Sequence, residues 1–407
     1  MKNNILILAL IVFLFLFLRF VNLSEAINFG SDAGRDFLAV WNIVETQHPT
    51  LIGPPSQYTI EGREFFFGPA SYYVILPALL IGNWEPLVVS YFLILLNLVA
   101  LLVSLLLINN AMKQKLVVVL FGLFCTITPE MITYAQSYWN PYLMLPISTL
   151  LVGLLVGAKK FRSGMFFITI GALFGLGLQF HYSFIFAIIV SLVWLIVIRR
   201  LSLHAAISIT GGFVVGFLPV LLFELRNNFY NLNTLILVIT DMKAIQNSNG
   251  FPTYYLISLL PFIFFLFACL LVQVRTRSNI LFFFCLSLFV LLVAYGWMNF
   301  PSPQIRYPLL KQMVSIIQKD KPANFNIVDQ ATRDNRASAL RYLLTVKGLE
   351  AKGATDYASP TTLYIYSKRP LTELLKNPVW EIKSFLPFKD VKVWELEDNF
   401  FLYRLNK

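Results

Sequence analysis

Two carboxylates and a guanidinium lie within one helical turn in Gly30-Ser31-Asp32-Ala33-Gly34-Arg35-Asp36-Phe37-Leu38-Ala39-Val40-Trp41. In a helix beginning near Ser31, Asp32 and Asp36 share one stripe at i, i+4 with Arg35 beside them. Acids paired with a base at the edge of water are the materials of general acid–base chemistry. They also suit a helix cap at Ser31 or Asp32 followed by a solvated Arg35–Asp36 pair, and the local sequence leaves both readings open. Phe37, Val40, Trp41 and Val44 form the opposite, apolar stripe, which is expected to lie on a membrane surface. Further polar groups with potential roles are His181 with its neighbour Tyr182, Glu224 and Arg226, and Glu130 after Pro129. Arg63-Glu64 and Arg306 are candidate phosphate contacts, with interface anchoring or snorkelling the alternative for the charged groups. His48 and His204 have no ligand spacing. Cys125, Cys269 and Cys285 sit inside apolar runs, so neither a disulfide framework nor a cysteine metal site is encoded. A divalent metal stays open but has no motif.

The elements that must position these residues follow from composition. The chain has 407 residues, 57% of them hydrophobic and 13% charged, with a mean hydropathy of +0.70. Soluble domains are nearer one-quarter charged, so a water-soluble enzyme is excluded. The formal charge of +11 would suggest nucleic acid in a soluble protein; in an apolar one it reports orientation in a bilayer.

Nine membrane spans are predicted, using a length of roughly 20 apolar residues and admitting shorter runs with basic flanks. They are Ile5–Val21, Leu87–Ile108, Leu116–Ile132, Pro141–Gly157, Met165–Phe180, Ser183–Ile198, Ala205–Phe223, Tyr254–Val274 and Ile280–Met298. The first is expected to stay as an anchor, although Ser24-Glu25-Ala26 resembles a signal-peptide cleavage site. Residues 163–198 would form a helix of ~54 Å at 1.5 Å per residue, too long for a ~30 Å hydrocarbon core, so the segment must fold back near Gln179-Phe180-His181-Tyr182. With the amino terminus inside, Lys2, Lys113, Lys115, Lys159, Lys160, Arg162, Arg199, Arg200, Arg275 and Arg277 all fall on the cytoplasmic side. Every acid before residue 300, from Glu25 to Asp241, falls outside or at the outer boundary. An error of one span would invert every later loop and destroy that segregation.

The outer face then carries the loop of residues 22–86, a second loop from Glu224 to Pro252, and residues 300–407. Within the first loop, Gly68–Ile81 is too short to span and is expected to be interfacial or half-inserted. The carboxy-terminal part holds 17 Lys+Arg and 11 Asp+Glu. Alternating runs at Thr362–Ser367, Val391–Leu396 and Phe400–Leu405, with helical patterns at Pro308–Gln318 and Ser338–Val346, predict a small extracytoplasmic α/β domain. The expected division is therefore a transmembrane domain at 1–299, including the acidic loop, and an outer domain at 300–407.

This arrangement resembles the GT-C superfamily of integral-membrane glycosyltransferases, in particular the family 39-like group akin to protein O-mannosyltransferases and the lipid A aminoarabinose transferase. Its carriers are one span, an outer loop opening on Asp32 and Arg35, Gly68-Pro69-Ala70-Ser71-Tyr72-Tyr73 leading a short helix, and a polytopic body, over roughly residues 1–300. Trp139-Asn140-Pro141, Gln179-Phe180-His181-Tyr182-Ser183 and Phe223-Glu224-Leu225-Arg226 also look like recurrent stretches of the group. The group's acidic pair is followed by an arginine; Asp32 matches the leading acid and Arg35 the arginine, whereas Ala33 replaces the second acid and Asp36 lies one turn on. The resemblance implies a sugar donor on polyprenyl phosphate, an acceptor hydroxyl on a protein, lipid or glycan, and transfer at the outer face of the cytoplasmic membrane with inversion. Asp32 would act as base, Asp36 would orient it or the acceptor, and cations among Arg35, Arg63, Arg226 and Arg306 would hold the phosphate. A transporter or flippase of lipid-linked sugars, or an oligosaccharide polymerase or ligase, is the alternative. Transport is disfavoured because charges cluster at span ends rather than at mid-membrane, and no internal repeat is evident.

Overall fold

The computed structural model describes residues 2–161, 163–240, 253–332 and 334–407. Arg162, Asp241 and the 241–252 part of the second outer loop lie outside the described residues. The chain divides into two compact units. One comprises Met1–Val21, His48–Gly82 and Val88–Phe300; the other comprises Asn22–Gln47, Asn83–Leu87 and Pro301–Lys407. The units thus cut across the linear division at residue 299: the segment bearing Asp32 and Asp36 belongs with the carboxy-terminal residues.

The first unit is a bundle of apolar helices. Among the described residues, four stretches are long and apolar enough to cross a bilayer: Pro86–Met112, Asn140–Gly157, Tyr254–Arg275 and Asn279–Asn299. The count rises to six if two bent pairs are single spans, Lys115–Ile127 with Pro129–Gln136 (60°) and Leu203–Gly216 with Leu218–Arg226 (68°). The remaining expected spans appear as shorter apolar helices at Leu6–Phe20, Gly164–Phe180 and Tyr182–Val197. Both bends follow from proline. Pro129 and Pro219 stand in the first turn of the second helix of each pair, where a missing N–H is harmless to that helix but removes a donor from the preceding one.

At the first bend the freed carbonyls are taken by a basic residue of the Lys2–Phe20 helix. Arg19, fully buried, donates through Nη2 to Cys125 O (3.0 Å) and Met131 O (3.0 Å) and through Nη1 to Thr126 O (3.1 Å). Cys125 O is the acceptor that Pro129 cannot serve. A lone base near a span end reads as a snorkelling anchor; here the guanidinium fork instead closes a broken helix in a region with no water to do so. Arg19→Leu would leave the carbonyls of Cys125 and Thr126 without these bonds and should destabilise the protein by about 3 kcal/mol. Arg19→Lys should recover little of this, because an ammonium cannot span the same acceptors. Thermal unfolding of the detergent-solubilised variants measures both.

A further break falls at His181, whose extended backbone (φ −162°, ψ 136°) ends the Gly164–Phe180 helix, within the segment expected to fold back. The helix at Ala70–Ile81 buries Ala70, Ser71, Tyr72, Ile75, Ala78 and Leu79, so one face packs on protein while Ile81 is exposed. Two features are additional to the sequence reading. Residues 55–66 form an antiparallel hairpin, β1 (Pro55–Ile60) and β2 (Arg63–Phe66), turned by Glu61-Gly62, both left-handed (φ 50° and 74°), as a two-residue hairpin loop requires. The second outer loop contains a helix, Tyr230–Thr240.

In the second unit, β3 (Phe325–Asp329), β4 (Thr362–Ser367), β5 (Asp390–Glu395) and β6 (Phe401–Asn406) form one sheet in the order β3-β4-β6-β5. The β3–β4 pair is parallel and the others antiparallel. Leu363, Ile365 and Leu405 pack with Leu374, Ile382 and Phe385 to cover one face. Helices Tyr307–Asp320 and Ser338–Thr345 complete the unit with the Ser31–Thr46 helix.

Candidate active site

The Ser31–Thr46 helix starts from Gly30, which makes no side-chain cap bond; neither Ser31 nor Asp32 is spent as the cap. Arg35 bridges the two acids. Its Nη1 lies 2.9 Å from Asp32 Oδ1, and its Nε and Nη2 each lie 2.8 Å from Asp36 Oδ1. The environments of the acids differ sharply: the Asp36 side chain is 0% exposed and that of Asp32 46%. Burying a carboxylate is costly unless it is paired and hydrogen-bonded, so Asp36 depends on the guanidinium, and Arg35 is in turn fixed by Asp36. Asp32 is held through one oxygen and stays open to solvent. Geometrically this is a reachable carboxylate oriented by a cation that a buried carboxylate anchors.

The helix is held by its apolar face, and here the expectation of a membrane-surface stripe is corrected. Phe37 and Val40 are 1% exposed because they pack on protein. Phe37 meets Tyr342 edge-to-face (5.3 Å), Phe29 contacts Phe37, Tyr307 and Tyr342 within 6 Å, and Trp41 meets Trp84 at 4.6 Å. Amphipathic periodicity announces a buried face without saying what covers it. Tyr342 also donates to Trp84 O at 2.7 Å, and Tyr307 bonds the Glu85 carboxylate. Burial, and for Tyr307 also that bond, push both phenols well above their usual range, so they stay neutral. Gly34 marks the closest approach: a Cβ there would lie 2.3 Å from Ala339 N.

Arg306 belongs to the same unit, but three carboxylates engage it: Asp398 at 2.6 Å, Glu397 at 2.9 Å and Glu25 at 3.0 Å. Its bond to Asp398 is the main cause that raises its pKa. All three groups of guanidinium nitrogens face protein acids, an arrangement of an ion-pair hub rather than an open phosphate clamp.

The other candidates lie in the first unit. Arg63 and Glu64 are exposed on β2, and Arg226 is exposed in the last turn of its helix. Tyr182 donates to Phe66 O (2.9 Å) and accepts from Asn231 Nδ2 (3.0 Å). Asn231 pairs with both the N–H and the C=O of Phe66 at 2.6 Å, imitating a neighbouring strand. The Glu224 carboxylate is buried and accepts from Leu232 N–H at 3.2 Å. Two of the recurrent stretches have a similar use: Asn140 donates to Phe180 O (2.8 Å), and Gln179 to Gly216 O (2.6 Å), each meeting a carbonyl at a helix end. Asn231 and Arg19 had no signal in the sequence beyond being polar among apolar residues.

His181 is buried, stacks on Phe67 at 4.7 Å and accepts through Nδ1 from Ser183 N–H at 3.2 Å, which places the neutral ring's proton on Nε2. Burial lowers its pKa to about 4 from an unperturbed 6.5. Below pH 6.5 the unfolded chain takes up this proton before the folded one does. Stability is therefore full above that value and falls as the pH drops towards 4, by up to about 3 kcal/mol. His181→Phe should flatten the decline in unfolding temperature over this window. Among the described residues no three His, Cys, Asp or Glu side chains converge on one point.

The fold of the chain, a helical membrane body and a helix-and-sheet unit that carries the acidic helix, has a counterpart among solved structures. It is shared with ArnT from Cupriavidus metallidurans, a lipid A aminoarabinose transferase, in a crystal structure bound to undecaprenyl phosphate (TM-score 0.58, 12% identity, 98% of both chains covered). The apo structure of the same protein matches equally, with 98% of this chain and 97% of that chain covered. No protein-family model and no curated protein sequence matches the chain.

Proposed function

We propose that the protein is a multi-pass glycosyltransferase of the cytoplasmic membrane that moves a sugar from a polyprenyl-phosphate donor to an acceptor hydroxyl at the outer face. The amino terminus would lie inside and residues 300–407 outside. The observation that carries the reading is the Asp32–Arg35–Asp36 set, one carboxylate open and one buried on opposite sides of a single guanidinium, in a fold shared with a protein crystallised with undecaprenyl phosphate.

In this reading Asp32 accepts the proton of the acceptor hydroxyl as its oxygen bonds the anomeric carbon. The carbon–oxygen bond to phosphate breaks on the opposite face, and polyprenyl phosphate leaves with the electron pair, so the configuration inverts. The departing phosphate is already a stable anion and needs no strong acid; it needs positive charge. Asp36, with no exposed surface, is a positioning residue that works through Arg35. Membranes containing the protein, supplied with labelled polyprenyl-phosphate sugars, should transfer label covalently to an acceptor. Movement of label across vesicles with no covalent product would instead support a flippase.

A further inference from the structure

Near one end of the first unit, three helices that pack closely at one level separate at the next. At Gly122 the Lys115–Ile127 helix leaves so little room that a Cβ would lie 3.1 Å from Ile11 and 3.4 Å from Leu105, on the Lys2–Phe20 and Pro86–Met112 helices. Towards Lys115 the same helices diverge around a groove of about 240 Å³. Its walls are Ile7, Leu8 and Ile11, Leu105 and Leu106, and Val118 and Val119; Asn109 and Lys115 also line it. Leu106 is 62% exposed, so the groove opens to the surroundings of the bundle. Lys115 makes no ion pair with any described acid.

Protein interiors are filled to near crystal density, and an apolar groove on a bilayer-embedded surface is filled by what surrounds it, hydrocarbon. What distinguishes this groove from any other lipid contact is its polar lining. An acyl chain lying between Ile7 and Leu106 would bring its headgroup to Lys115, a cation in the first turn of a helix whose unpaired N–H groups also favour an anion. Asn109 supplies a neutral donor beside it. We infer that this groove is a binding site for one anionic diacyl phospholipid of the bilayer, its chain between the Lys2–Phe20, Pro86–Met112 and Lys115–Ile127 helices and its phosphate at Lys115. The inference is independent of the transferase reading.

Native mass spectrometry of the full-length protein, delipidated and titrated with phosphatidylglycerol or with phosphatidylcholine of the same chains, tests it. The expected result is one phosphatidylglycerol retained in preference to phosphatidylcholine. Lys115→Gln should weaken phosphatidylglycerol about five-fold, the size of one lysine–anionic lipid contact, without changing phosphatidylcholine. Lys115→Arg should retain the preference, and Lys113→Gln, which changes a neighbouring lysine outside the groove lining, should leave it intact. Val119→Phe, which fills the groove, should weaken both lipids; because that change risks misfolding, the exposed Lys115 variants carry the decision. Equal retention of the two lipids, an unchanged Lys115→Gln, or a loss confined to Lys113→Gln would overturn the assignment.

Discussion

Asp32→Asn should lower sugar transfer by about 10²–10⁴-fold, the usual contribution of a positioned general base, while leaving membrane insertion and thermal stability close to wild type. The carboxamide keeps the shape and one oxygen for Arg35 but has no lone pair basic enough to take the acceptor's proton. Stability changes little because the Asp32 side chain is nearly half exposed and its pairing with Arg35 is of the surface kind, worth at most about 1 kcal/mol. The loss should appear in kcat rather than in the KM for the donor, since a group acting only on the proton in flight contributes little to ground-state binding. Asp32→Glu, which keeps the basicity but moves it by a methylene, should retain more activity than the amide. Full transfer by Asp32→Asn, assayed with a labelled polyprenyl-phosphate sugar, would remove Asp32 from the mechanism.

Asp36→Asn provides the contrast that separates base from anchor. Its side chain has no exposed surface and shares Arg35 with Asp32, so neutralising it loosens the guanidinium and costs stability as well as activity. An Asp32 variant that is inactive but stable, beside an Asp36 variant that is both impaired and less stable, is the pattern expected of the two roles.

The acidic helix was legible because its chemistry is local: the i, i+4 spacing of Asp32 and Asp36 survives in any helix that starts near Ser31. What covers its other face was not. Phe37 and Val40 repeat at helical spacing whether they meet lipid or Tyr342, and the partner lies some 300 residues away in sequence. Strands β4, β5 and β6 are close to the alternating runs that announce them, whereas β3 is only five residues long and its adjacent Ile327 and Val328 break the alternation that marks a strand. The β1–β2 hairpin has a readable signal, a two-residue Glu61-Gly62 turn between strand formers. Arg19 and Asn231 carried no signal, and Gln179 only a place in a polar stretch, for a shared reason: each meets backbone groups freed by a break or an edge elsewhere in the chain, and a sequence shows the donor without the acceptor.

The second large effect is expected where no reacting group stands. Gly34→Ala adds one methyl to the solventless side of the acidic helix. Elsewhere the same change helps: at Gly211, in the Leu203–Gly216 helix, a Cβ meets nothing within 4 Å, so Gly211→Ala should be neutral or stabilising by up to about 1 kcal/mol through helix propensity. At Gly34 that gain is opposed by contacts of 2.3 Å with Ala339 N, 2.4 Å with Ser338 C and 2.5 Å with Ala339 Cα. These are main-chain atoms of the Ser338–Thr345 helix, so no rotamer change relieves them, and one helix must move from the other by about an ångström. A displacement of that size between a base and the proton it takes costs on the order of 10²-fold in rate. Gly34→Ala should therefore lose about 10²-fold in kcat and lower the unfolding temperature, although Gly34 carries no functional group. Because the clash is with backbone, Ala339→Gly should not rescue it. Rescue by Ala339→Gly, or an activity like that of Gly211→Ala, would show that the carboxy-terminal residues do not set the position of Asp32.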